Sequence, residues 1–235
     1  MTAEPTGRTR DPGRSLDILA AFTRNVASHG YAGSNFSQIA NELNISKGTI
    51  VHHYGTKDRL FAAMHDTYME RRLAEAEQIV ARFDTPAEQL TGLLYSFLLY
   101  QGVDRDATVA FQREVATLTR HEALANGRRL RASYLDVVRR VLSDGMREGH
   151  FRALDVDVLS LLIFGSSQWA WSWFRPDGRM TPLEAGSQFV QLVLGSLLVD
   201  RAPLDRLADP DGTIATTVKD SLVGLLPENG SSPRP

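Results

Sequence analysis

The side chains best suited to chemistry gather in "ISKGTIVHHYGTKDRLF", Ile45 to Phe61, where two histidines adjoin. A pair such as His52 and His53 suggests either a metal site or an acid–base couple. Neighbours on a helix point about 100° apart, so the two rings cannot close on one ion. His65 lies nearby, yet it completes no His-Glu-x-x-His spacing. The other use of this stretch is recognition of nucleic acid. Lys47, Thr49, His52 and His53 offer hydrogen-bond donors, and Gly48 lets a backbone come close to its target. Elsewhere, His121-Glu122 lacks the second histidine of a zinc protease, and Asp155 and Asp157 open a helix, where carboxylates suit the dipole. No Gly-x-Ser-x-Gly, phosphate loop or dinucleotide fingerprint occurs. The expectation is therefore a protein that is not an enzyme and has no metal and no cofactor.

Composition narrows the choice further. The chain has no cysteine, which removes thiolate catalysis, disulfides and Cys-ligated zinc. Its formal net charge of −2 argues against a protein that coats nucleic acid. Residues 1–60 nevertheless hold seven Lys/Arg against five acids, a local excess that permits a phosphate-binding face. The first residues contain no apolar secretory core, so a cytoplasmic location is expected.

The surrounding periodicity is helical throughout, and an all-α fold is expected. Leu16, Leu19, Phe22 and Val26 form one apolar stripe, with Gly30 at its C-terminal end. Ser34 is placed to cap a short helix with Phe36, Ile39 and Leu43 inside. Asn44 can turn the chain through the left-handed region, and Ser46 caps the next helix at once. Gly55 ends that helix and Thr56 caps a fourth, which extends to about Phe83. Helix, tight turn, helix is a layout whose second helix enters the major groove.

These residues resemble the TetR-type transcriptional regulators from about Ile18 to Phe61, carried by Gly30-Tyr31, Ser34, Ile39-Ala40 and the opening motif. The resemblance implies DNA contacts at Ser34, Asn35, Lys47, Gly48, Thr49, His52, His53 and Lys57. Val51 departs from the pattern, standing where the family usually has a phosphate-contacting tyrosine. The expected division is an arm without fixed structure over 1–13, a three-helix helix-turn-helix DNA-binding domain over 14–61, a helical ligand-binding and dimerisation domain over 62–200, and a mobile tail over 201–235 with one short helix near 213–226.

Helices are expected from Pro86 to about Gly102, from Asp104 to about Leu124, from Asn126 to about Gly149, from Asp155 onward, and from Thr181-Pro182 to near Asp200. Val158 to Phe174 is uncharged but short and interrupted by Gln168 and serines, so a helix buried on most sides is expected in place of a membrane span. "SSQWAWSWFRPDGRMTPLEA" resembles the C-terminal region of TetR-like proteins that respond to acyl-CoA or other CoA thioesters. By that resemblance the last two long helices form a homodimer interface, Arg175 and Arg179 meet phosphates or a carboxylate, and Trp169 and Trp173 supply aromatic surface. Phe97, Tyr100, Phe111 and Tyr134 are candidate pocket walls. The implied function is a homodimeric repressor, bound to a palindromic operator on double-stranded DNA and released by a small molecule. The alternative is an architectural DNA-binding protein without an effector.

Overall fold

A computed structural model describes residues 12–114 and 124–224, and the helices begin at the head. Helix α1 (Pro12–Gly33) bends at Gly30, whose φ of 74° lies in the left-handed region. Phe22 and Val26 are fully buried as expected, but the buried face runs through Ile18, which leaves Leu16 65% exposed and Leu19 half-buried. Helices α2 (Phe36–Glu42) and α3 (Lys47–Tyr54) follow, separated by Asn44 at φ 51°. The cap of α2 is a correction. Asn35 performs it, its Oδ1 accepting from the backbone N–H of Ser37 at 2.9 Å and of Gln38 at 3.1 Å. Ser34 is buried and donates its hydroxyl to the carbonyl of Gly30 at 2.8 Å, satisfying an oxygen that the bend would otherwise orphan.

Helix α4 (Lys57–Arg82) leads from the head into the larger domain. Next come α5 (Pro86–Val103), α6 (Arg105–Glu114) and α7 (Ala125–Arg147), then α8 (Val156–Gln168), the single-turn α9 (Ala170–Trp173) and α10 (Pro182–Leu197). The expected extension of α6 beyond Glu114 lies outside the described residues. Helix α5 is the axis of this domain, buried on every side from Leu90 to Gln101, with α4, α7 and α10 packed around it. At the α5–α10 crossing the helices come so close that a Cβ on Gly186 would stand 2.7 Å from the Tyr95 ring. No strand occurs among the described residues.

Two further expectations are corrected. The region after residue 200 holds the expected short helix, α12 (Thr213–Gly224), but is not a loose tail through residue 224, because α12 and α11 (Leu204–Leu207) both pack on α5. Helix α12 buries Ile214, Ala215, Val218 and Leu222, a spacing of three and four that supplies one apolar stripe. Residues 225–235 lie outside the described part. The uncharged stretch 158–174, for its part, is not one helix buried on most sides. It breaks at Trp169, and one face of α8 is open, with Leu161 56% and Leu162 64% exposed.

Candidate nucleic-acid interface and effector cavity

Helix α3 is held by its inner face. Ile50 is fully buried, and the Tyr54 hydroxyl donates to the Ser15 carbonyl at 2.9 Å while accepting from the Ser15 hydroxyl at 2.9 Å. An exposed ion pair, Arg24 to Glu42 at 2.5 Å, ties α2 to α1 as well. At its start Ser46 accepts from the N–H of Thr49 at 3.0 Å. The outer face then presents Lys47, Gly48, Val51 and His52 to solvent, with Thr49 and His53 half-buried beside them. Nothing crowds a Cβ on Gly48, so packing does not demand glycine there. No acidic side chain interrupts this helix, which suits a polyanion.

Lys57 extends the same surface from the first turn of α4, where Thr56 accepts from the N–H of Arg59 at 3.2 Å. Its ammonium lies 4.2 Å from the centre of the Tyr31 ring, and burial lowers its pKa while Asp58 and Glu114 oppose that. The expected contact residues thus share one end of the molecule, except that the Ser34 hydroxyl faces inward and the Asn35 amide oxygen is committed to its cap. His52 and His53 have ring centres 5.5 Å apart, edge to face. No group of three metal-ligating side chains forms among the described residues.

A second constellation lies in the helical domain. Phe97, Tyr100, Phe111 and Tyr134 meet around a cavity of about 30 Å³, together with residues that sequence reasoning had not singled out: Tyr68, Met69, Arg72, Gln112, Arg131 and Phe164. Periodicity held a usable signal for some of these, because Arg131 precedes Tyr134 by one helical turn on α7 and Met69 precedes Arg72 likewise on α4. Arg72 is buried, its Nε 2.9 Å from Glu75 Oε2 and its guanidinium carbon 3.8 Å from the Tyr100 ring centre. Burial pushes the Glu75 pKa upward, and Arg72 and Arg71 pull it back. Trp169 and Trp173 stand apart on the surface, 66% and 56% exposed. Arg175 and Arg179 are exposed as well, and neither forms an ion pair among the described residues.

The cavity wall touches the head through α6. Phe111 and Gln112 line the cavity, while the next two residues grip the bend of α1. Arg113 donates to the carbonyls of Ala27 and Ser28 at 3.2 and 3.3 Å, and Glu114 accepts from the N–H of Tyr31 at 2.8 Å.

Two family models match this chain. Residues 18–64 match the bacterial regulatory proteins of the tetR family, and residues 84–197 match the tetracyclin repressor-like C-terminal domain, together more than half of the chain. The chain belongs to the TetR family. It is therefore a DNA-binding transcriptional regulator, and α2, the Asn44 turn and α3 are its helix-turn-helix. The transcriptional repressor KstR2 of Mycobacterium tuberculosis (strain ATCC 25618 / H37Rv) is 26% identical over 190 residues, covering 79% of this chain and 92% of that protein. The fatty acid metabolism regulator protein of Bacillus subtilis (strain 168) is 20% identical over 184 residues, covering 77% and 94%. A solved structure of AibR in complex with isovaleryl coenzyme A and operator DNA aligns with a TM-score of 0.71 at 25% identity, covering 78% of this TetR-family chain and 99% of AibR. No described helix is long and apolar enough to cross a membrane.

Proposed function

We propose that this TetR-family regulator is a repressor that binds a palindromic operator as a homodimer and leaves it when a small molecule, a CoA thioester in this reading, enters the helical domain. The observation that carries it is the pairing of an unobstructed α3 face at one end with an aromatic cavity joined to α1 through Phe111, Gln112, Arg113 and Glu114. Lys47, Gly48, Thr49, His52, His53 and Lys57 contact the DNA, Asn35 positions α2, and Ser34 supports the bend from inside. The open faces of α8 and α10, with Leu161, Leu162 and Leu192 exposed, take the second copy. Two reading helices then stand about one DNA turn apart, matching a two-fold operator.

The thioester class is supported by AibR, whose structure holds isovaleryl coenzyme A, by the exposed Arg175 and Arg179, which suit phosphates, and by the exposed Trp169 and Trp173, which suit an acyl or adenine group. Binding is reciprocal. An effector that weakens operator affinity tenfold binds the operator complex tenfold more weakly, about 1.4 kcal/mol of coupling. The test is selection of bound fragments from random DNA, followed by titration of the selected operator complex with acyl-CoA thioesters. A recurring two-fold motif released by a thioester is expected. Fragments with no common sequence would point to architectural binding and overturn the proposal.

A further inference from the structure

The polar groups of the cavity are out of balance. Both glutamine carbonyls on its wall are occupied: Gln168 Oε1 accepts from Arg131 Nη2 at 3.2 Å, and Gln112 Oε1 accepts from Gln101 Nε2 at 2.9 Å. What remains uncommitted among the described residues can donate: the amide nitrogens of these two glutamines, the buried Arg131 Nε, and the Tyr100 and Tyr134 hydroxyls, which can also accept. The other arginine of the cavity is already neutralised, since Arg72 has Glu75 at 2.9 Å and Asp104 at 3.5 Å. Arg131 has no such carboxylate among the described residues, and burial alone lowers its pKa. A half-buried cation without a counter-ion is held at a free-energy cost that a bound anion would recover.

The remaining walls are apolar and aromatic. Phe97 and Tyr134 each approach Phe164 edge to face, at 5.5 and 5.4 Å between ring centres, and Phe111 stacks on Tyr68 at 4.5 Å. A space of about 30 Å³ holds roughly two waters, so an organic occupant must part these rings.

We infer that Arg131 is the anion anchor of the effector cavity, and that the effector is an acyl-type molecule with an apolar body and one acceptor-rich anionic end. The anionic end lies on Arg131, Gln168 and Gln112, and the body displaces Phe97, Phe111 and Phe164. This assignment rests on the effector-responsive reading above and names the chemistry of its ligand. A free carboxylate and the phosphate-bearing portion of a thioester both supply such an end.

The test uses octanoate, octanoyl-CoA and methyl octanoate as probes, with calorimetric affinity and operator release measured on the full chain, Arg131→Met and Arg131→Lys. Wild type is expected to bind octanoate or octanoyl-CoA at least tenfold more tightly than the uncharged ester, and the better of the two identifies the source of the anion. A charge-assisted contact predicts that Arg131→Met loses about ten- to a hundredfold in affinity for that probe, with the ester unaffected and Arg131→Lys intermediate. Operator affinity without probe checks that both variants fold. The inference falls if the ester binds as well as the anions, if Arg131→Met binds like wild type, or if neither anionic probe binds. Release of operator by octanoyl-CoA in wild type and Arg131→Met alike would overturn the anchor while leaving the repressor reading intact.

Discussion

In the proposed reading Lys57 serves fold and recognition together, because its ammonium sits over the Tyr31 ring at the first turn of α4, where free N–H groups also point outward. Lys57→Ala is expected to weaken binding to all DNA sequences and to lower the salt slope by about one. Thr49→Ala, on the reading helix, is expected to change sequence preference more than the slope. Competition binding at several salt concentrations separates the two, and an unchanged slope for Lys57→Ala removes it from the contact set. His65 makes a different case. It is fully buried between Phe61 and Phe111, its ring centre 4.5 and 5.1 Å from theirs, and neither ring nitrogen has a hydrogen-bond partner among the described residues. Burial pushes its pKa down from 6.5 to about 3. The unfolded chain therefore binds the proton more tightly, so stability is complete above about pH 6.5 and is lost as pH falls toward 3. Urea unfolding is expected to find this group costing about 2 kcal/mol between pH 7 and pH 5. His65→Phe should remove that part of the slope, and a slope equal to wild type would refute the assignment.

At the scale of elements, the head was the more legible half. Ser46, Thr56, Thr85 and Thr181 all cap helices, as local chemistry demands, since each side chain accepts a backbone N–H that no helical carbonyl can reach. Ser34 differs because Gly30 bends the chain and presents a carbonyl to it, a contact decided by the path of the backbone. Helix α12 differs for another reason. A segment rich in Asp, Pro and Gly before residue 213 reads as loose, yet the four buried residues of α12 find a complementary face on α5. Ile214→Ala is expected to destabilise the protein by about 2–5 kcal/mol, the range for truncating a buried isoleucine. Thermal and urea melts check this, and a change below about 0.5 kcal/mol would mean that α12 contributes little.

Among the described residues, α8 and α10 each leave large apolar side chains uncovered. Leu161, Leu162 and Trp169 on and after α8, with Leu192 on α10, are each more than half exposed. These exposed side chains supply the apolar face that the proposed homodimer would cover. Leu192→Glu would set an unpaired carboxylate in that interface while disturbing nothing inside the monomer. Sedimentation is expected to shift from dimer toward monomer, with operator affinity falling in parallel because each half-site alone binds weakly. A variant that remains dimeric and keeps its affinity would place the contact elsewhere.

The sequence by itself determined what short-range rules control. Apolar spacing, caps and the Asn44 turn specify α1 to α4 within a few residues of each other, so the head could be read as a motif. It also offered Phe97, Tyr100, Phe111 and Tyr134 as candidate pocket walls. Only the tertiary structure decided what they face. The cavity draws side chains from α4 through α8, whose order in space depends on how helices pack across α5, and helical periodicity carries no information about which stripes meet. The same limit placed Arg131 in line with Tyr134 without showing that Gln168 and the aromatic rings close around it, and it did not show that Trp169, Trp173, Arg175 and Arg179, which the resemblance had linked to a CoA thioester, stand exposed away from this cavity.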